Sequence, residues 1–166
     1  PYQHMMPIIA SEVFGGDSRT LGLLISCAGL GAFAGTAYLA GRTSLQGLSR
    51  IIVIASFCAS LGLMLFSQSR LLWLSVILML PIGFGLIVTA TSTNTILQTI
   101  ADEDKRGRVV SIYGMCFLGT PPLGNLIAGS VASRVGAPLT LLIFGALGTL
   151  AALAFALRLA SWRAAI

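Results

Sequence analysis

The sequence has 166 residues, of which 56% are hydrophobic and only 9% are charged, and its mean hydropathy is +0.94. A soluble domain usually carries about 25% charged residues because its surface must face water. The composition therefore excludes a water-soluble domain and predicts an integral membrane protein. The net charge of +5 does not indicate a nucleic-acid partner, because the basic residues are scattered singly between apolar runs and form no stripe with aromatic residues.

The apolar runs predict an all-α bundle of six transmembrane helices, because a helix needs about 20 apolar residues to cross the hydrocarbon core. The predicted helices cover about 1–14, 21–40, 51–67, 71–100, 109–133 and 138–157. The first helix is cut short, so we expect further chain before it. A β-barrel is excluded, since the runs are too long and lack a two-residue alternation.

The basic residues predict the orientation of the bundle. The loops 41–50 and 101–108 and the C-terminal tail fall on one side of the membrane and hold seven basic residues, whereas the other side holds three. The seven are Arg42, Arg50, Lys105, Arg106, Arg108, Arg158 and Arg163, and the three are Arg19, Arg70 and Arg134. Because positive charge accumulates on the cytoplasmic side, we expect the C-terminus inside the cell, with Trp162 at the interface.

The first helix carries Gln3 and His4. His4 lies about ten residues from the outer end of this helix, which places it near the bilayer midplane at 1.5 Å per residue. A histidine at that depth either couples protons to transport or is a neutral hydrogen-bonding residue in a packed interface. Both interpretations are open at this point.

The second helix contains a GxxxG motif at Gly31 and Gly35, which favours close approach of another helix but is weakly specific. The three cysteines, Cys27, Cys58 and Cys116, all lie inside apolar runs without paired spacing. We interpret them as small packing residues, with no disulfide and no metal site.

The fourth helix has the densest run of polar residues, from position 89 to 98. Helical spacing puts Thr91, Asn94 and Gln98 on one face, at i, i+3 and i+7. Such a face either makes hydrogen bonds between helices or lines a water-filled cavity. In the predicted orientation it lies in the cytoplasmic half of the helix.

Prolines and glycines interrupt the fourth and fifth helices. In the fourth helix, Pro81 precedes two glycines. The fifth helix contains a mid-span run of glycines and prolines, which we interpret as gating or packing residues. The run ends in Asn125, which we assign to the cavity. The residues of that run are Gly119, Pro121, Pro122 and Gly124. Helices broken in this way beside polar residues are typical of alternating-access transporters, although close packing explains any single glycine equally well.

No signature of an enzyme is found in the sequence. His4 is the only histidine, and the chain has no HExxH sequence, no phosphate-binding loop and no paired intramembrane carboxylates. We therefore expect a protein that is not an enzyme and that uses no cofactor or metal.

The segment LQTIADEDKRGRVVSIYGMCFLGTPPLGNLIAGSVASRVGAP, residues 97–138, resembles the region of helices ten to twelve in major facilitator superfamily transporters. The resemblance is greatest to bacterial drug and siderophore exporters of the enterobactin-exporter and macrolide-efflux kinds, and it extends more weakly over the whole chain. It implies that these six helices are the C-terminal half of a twelve-helix fold, with the N-terminal half absent.

The resemblance also implies a bacterial inner-membrane protein that exports small amphipathic molecules by proton-driven alternating access. Its first and fourth helices would line the cavity, the second and fifth would act as gates, and the third and sixth would face lipid. The residues that we expect to line the cavity are Gln3, His4, Thr91, Asn94 and Gln98. Arg106 and Arg108 would anchor the cytoplasmic gate. The loop 41–50 departs from the family pattern because it lacks the expected aspartate.

The partners expected from this interpretation are membrane lipid, a small-molecule substrate, protons and the N-terminal half of the same protein. The alternative is a membrane module that does not transport, such as a sensor or an assembly subunit. That alternative predicts a polar face on the fourth helix that is buried between helices and closed to water.

Overall fold

The structure is a computed structural model that describes residues 2–42, 44 and 46–164, with side chains up to Leu159. The expected side-chain positions of Trp162 and Arg163 therefore lie outside the described residues. Six α-helices run along the chain, and the first continues into a π-helical segment at Ile9–Val13. Their bounds are α1 Tyr2–Ile8, α2 Ser18–Ala40, α3 Leu48–Gln68, α4 Leu72–Ile100, α5 Arg106–Val135 and α6 Ala137–Ala164. No strand occurs in the described ranges, and the predicted all-α class is confirmed.

Local capping explains where several helices start and end. α2 begins at Ser18, three residues before the predicted position, because the Asp17 carboxylate accepts hydrogen bonds from the backbone N–H groups of Arg19 (2.9 Å) and Thr20 (3.3 Å). Gly47 directly precedes α3, and Gly136 directly follows α5. Both glycines have positive φ angles, of 76° and 83°, which residues with a Cβ rarely adopt.

Four of the described helices are long and apolar enough to cross a membrane: Ser18–Ala40, Leu48–Gln68, Leu72–Ile100 and Ala137–Leu159. α5 has sufficient length at 30 residues, but Thr120, the two prolines and Asn125 lower its hydropathy. α1, with 7 residues, is too short by itself. The structure thus shows a helical membrane bundle in which α5 is the polar exception.

α4 lies at the centre of the bundle and packs against α2 on one side and α3 on the other, while α3 also packs against α6. The α2–α4 crossing is close because glycines face backbone in both directions. A Cβ on Gly31 would collide with the Leu80 carbonyl, and a Cβ on Gly83 would collide with the Ala28 carbonyl. Small residues permit this approach of two helix backbones.

Leu48, Ile52 and Val88 are buried toward one end of the bundle, and a larger hydrophobic cluster lies toward the other. Its buried residues come from all six helices: Met5, Met6, Ile9, Leu24, Ala28, Phe66, Met79, Ile82, Ala128, Ala137 and Leu141. We call this the closed end; it contains the connections 14–17, 69–71 and Gly136. The opposite end, which holds the loops 41–47 and 101–105, is called the open end. In the described chain, polar α4 residues and the start of α5 meet there.

Candidate functional site

The polar face predicted on α4 lies toward the open end and is only partly covered by the rest of the chain. Thr91 and Gln98 are exposed and Asn94 is half-buried. The Gln98 side-chain amide donates a hydrogen bond to the Asn94 carbonyl oxygen at 3.1 Å. Asn94 and Gln98 therefore form a polar pair along the helix, as their i, i+4 spacing allows.

A polar cavity of about 380 Å³ adjoins this pair. It is lined by Thr95, Gln98 and Thr99 of α4 and by Arg106 at the first residue of α5. Arg106 reaches this position because the loop 101–105 is short and turns back on itself, with the Arg106 backbone N–H bonded to the Asp102 carbonyl at 2.8 Å. The cavity thus combines hydroxyl and amide groups with one guanidinium, a set that can bind polar or anionic groups.

The hydroxyls of this cavity bond largely within their own helix. Thr95 donates to the Thr91 carbonyl at 2.9 Å, and Thr99 donates to the Thr95 carbonyl at 2.8 Å. Each hydroxyl oxygen keeps lone pairs with which to accept a further bond. The two hydroxyls can therefore accept a hydrogen bond from water or from a bound molecule while they keep their bonds to the α4 backbone.

α5 is held to α4 beside this site by a hydrogen bond between the two helices. The Tyr113 hydroxyl donates to the backbone carbonyl of Ala90 at 2.9 Å, and the Tyr113 ring stacks on Phe117 with 5.9 Å between centroids. The start of α5 is otherwise weakly packed, since Arg106 and Arg108 are both exposed. In the described part of this loop, Lys105 forms an ion pair with Asp102 at 3.1 Å, and neither arginine takes part in it.

The structure does not bring the α1 candidates into this cavity. Gln3 and His4 are exposed, and Gln3 donates an exposed hydrogen bond to the Tyr2 hydroxyl at 3.4 Å. No hydrogen bond or ion pair of His4 with the described residues is found. α1 instead anchors the closed end, where Met5 and Met6 are buried.

The gating and packing candidates divide into two groups. Gly31 and Gly35 of α2 and Pro81 of α4 lie in the packed part of the bundle, where a Cβ on Gly35 would meet Ile87 at 2.6 Å. The glycine candidates of α5 do not pack against another helix, because a Cβ on Gly119 or Gly124 would meet no atom within 4 Å. Pro121 and Pro122 are exposed, and Asn125 is half-buried.

Thr95, Thr99 and Tyr113 are site residues that the sequence interpretation did not select. Thr95 and Thr99 belong to the polar stretch of α4, and their i, i+4 spacing places them together on the face beside Gln98. Tyr113 was detectable as a phenol within a predicted membrane span, because a tyrosine hydroxyl at depth usually finds a hydrogen-bond partner.

A sequence model of the transmembrane secretion effector family matches residues 3–165, nearly the whole chain. No curated protein and no solved structure gave a significant match. Together with the membrane-spanning helices, the family match indicates a multi-pass membrane transporter that is not an enzyme. This chain belongs to the transmembrane secretion effector family of major facilitator superfamily transporters.

Proposed function

We propose that this chain is the C-terminal half of a secondary active transporter of the bacterial inner membrane. It exports small amphipathic molecules, such as drugs or siderophores, by proton-coupled alternating access. The N-terminal half of the same protein supplies the opposite wall of the central cavity. Half of a central binding site would then come from residues outside these 166.

The observation that carries the proposal is the polar cavity at the open end, in a bundle that otherwise presents apolar side chains. Gln98 and Arg106 line that cavity, whereas large apolar residues such as Leu118 (75% exposed) and Trp73 (78% exposed) cover other surfaces. The polar face continues from this cavity along α4 to Asn94 and Thr91, farther from the end of the helix, where polar groups are costly unless they are used or paired. A transport route accounts for their concentration on α4.

The difference between the two ends suggests which state of the transporter the chain represents. The closed end holds the hydrophobic cluster, and the open end holds the cavity together with the basic residues of the segments 41–50 and 101–108. Because the positive-inside rule favours a cytoplasmic location for the segments 41–50 and 101–108, the proposed state is open toward the cytoplasm. An exporter must pass through this state to take up its substrate.

One observation favours the alternative, a membrane module that does not transport. The Asn94–Gln98 pair and the hydroxyls of Thr95 and Thr99 satisfy one another within α4. Such bonds would also stabilise a helix face buried against another subunit. The alternative predicts that single cysteines at positions 91, 94 and 98 are unreactive toward a water-soluble maleimide, whereas the transporter predicts that they react from the cytoplasmic side.

Efflux of ethidium from cells that carry the full-length protein tests the transport function. We expect Gln98→Ala to slow efflux by about fivefold, the equivalent of about 1 kcal/mol for one lost hydrogen bond at the site. Asn94→Ala should act in the same direction. His4→Ala should abolish the dependence of transport on an imposed pH gradient in proteoliposomes if His4 couples protons.

Thr36→Ala is the matched control, because the Thr36 hydroxyl is exposed on α2 and bonds only to the Ala32 carbonyl of its own helix, at 3.0 Å. It should leave efflux unchanged. If Gln98→Ala and Asn94→Ala both behaved like Thr36→Ala with normal protein levels, the proposed cavity face would be wrong.

A further inference from the structure

A second cavity, unlike the first, is almost entirely apolar. It is a groove of about 550 Å³ between α2 and α3, with α4 as its floor. The residues that shape it are Tyr38 on α2, Ile51, Ile54 and Cys58 on α3, and Pro81 and Phe84 on α4. The groove is open along its length, so in a membrane it faces either lipid or another protein segment.

The dimensions of the groove correspond to part of one bilayer leaflet. Along α2 it extends from Gly31 to Tyr38, and along α3 from Cys58 to Ile51, in each case about 10 Å at 1.5 Å per residue. One leaflet contributes about 15 Å of hydrocarbon to the bilayer core. The groove therefore matches the upper part of a single acyl chain, the part nearest the headgroup.

A cationic group lies where the headgroup of such a lipid would be. The Arg42 guanidinium donates to the Tyr38 hydroxyl at 3.4 Å and to the Gln46 carbonyl at 3.0 Å, and it lies 6.0 Å from the centre of the Tyr38 ring. Its Nε is fully buried and has no hydrogen-bond acceptor among the described residues. The two terminal nitrogens of the guanidinium each carry a second N–H beyond these two bonds, and a phosphate oxygen of the headgroup would accept from them.

The surroundings of Arg42 add to the positive charge and contain no compensating carboxylate. Arg50 is exposed one residue before Ile51, and no side chain caps the N-terminus of α3 at Gly47, where helix dipoles favour anions. Neither arginine forms an ion pair in the described part of the chain. The acidic residues lie on α1 and in the connections 14–17 and 101–105, none of them in the groove lining.

We propose that the α2–α3 groove is a binding site for an anionic phospholipid of the leaflet on the Arg42 side. One acyl chain lies along Ile54, Pro81 and Phe84, and the phosphate accepts hydrogen bonds from Arg42 with Arg50 nearby. Charge complementarity selects this occupant over a protein segment or a neutral lipid. The site is separate from the polar α4 cavity and does not depend on the substrate or on the direction of transport.

Native mass spectrometry of the full-length protein in detergent tests the site, with phosphatidylglycerol and phosphatidylcholine of identical acyl chains as probes. We expect selective retention of phosphatidylglycerol, and we expect Arg42→Gln to weaken it by about tenfold, the ratio for loss of one charge-assisted hydrogen bond. Arg70→Gln is the charge control, because Arg70 is exposed at the opposite end of α3 and should retain the lipid.

The apolar part of the site is tested separately, in case Arg42→Gln alters the loop. Ala34→Trp should fill the groove and reduce retention, whereas Phe33→Trp, at a residue that is 74% exposed and outside the lining, should not. A phosphatidylglycerol with a diazirine on its acyl chain should label Ile54 or Phe84. Equal binding of both lipids, equal effects of Arg42→Gln and Arg70→Gln, or labelling absent from these residues would each overturn the proposal.

Discussion

The α2–α4 crossing and α5 use glycine in opposite ways. At the crossing, Gly31 and Gly83 face carbonyls of the neighbouring helix, and a Cβ at either position would collide with backbone. In α5, a Cβ at any of the five glycines would find no atom within 4 Å, and Ala128 is the single buried residue of the helix. The difference teaches that a glycine-rich helix is not necessarily a closely packed one. α2 and α4 pack backbone against backbone, whereas α5 is joined to this chain through the Tyr113–Ala90 bond near its start and through the buried Ala128 near its end.

The largest effect that tests this comparison is expected from alanine at the crossing. Gly31→Ala and Gly83→Ala should each lower the stability of the protein by about 1–3 kcal/mol, because the colliding atoms are backbone and cannot move aside. Gly119→Ala should be neutral or gain at most about 1 kcal/mol from helix propensity. Thermal unfolding in detergent, followed with a thiol-reactive dye, measures all three. A loss at Gly119 as large as that at Gly31 would mean that another segment of the full-length protein covers α5.

A smaller effect is expected at the bond that joins α5 to α4. Tyr113→Phe keeps the ring contact with Phe117 but removes the hydrogen bond to the Ala90 carbonyl, at a cost of about 0.5–1.5 kcal/mol. Hydrogen exchange at residues 106–117 should become faster as α5 separates from α4. Tyr2→Phe is the matched control, since its hydroxyl makes only an exposed 3.4 Å contact. Unchanged exchange in Tyr113→Phe would show that other contacts hold this end of α5.

The smallest effect concerns the hydroxyl pair in the packed region. The Ser56 and Thr89 hydroxyls lie 3.0 Å apart between α3 and α4, and such bonds in membrane proteins average about 0.6 kcal/mol. A double-mutant cycle with Ser56→Ala and Thr89→Val should give a coupling of that size in the free energy of unfolding. A coupling near zero would indicate that apolar packing alone joins α3 to α4.

The helices were predictable from the sequence because the thickness of a bilayer dictates the length of an apolar run. The ends of the helices were less predictable. α2 and α5 each begin three residues before the predicted position, and at α2 the Asp17 cap sets the boundary. The polar face of α4 was also predictable, since Thr91, Asn94 and Gln98 follow from helical spacing. The sequence did not predict which of these residues would lie beside Arg106, because that depends on how the loop 101–105 turns.

The reciprocal contact of Gly31 and Gly83 shows a different limit. A GxxxG motif indicates that a helix can approach closely, but it does not name the partner helix. Likewise, the sequence placed His4 near the midplane without showing what it faces. Pairing of helix faces is a property of the assembled bundle, and hydropathy along one helix contains no information about it.

Gly136 has a mechanical consequence that follows from its place as the single residue between α5 and α6. Burial of Ala128 and the one-residue connection hold α5 at the closed end, and the Tyr113–Ala90 hydrogen bond joins its other end to α4. At 1.5 Å per residue the helix is a lever arm of about 45 Å, so a tilt of about 10° at this joint would carry Arg106 about 8 Å. Small rearrangements near Gly136 are therefore amplified into larger displacements at the polar cavity.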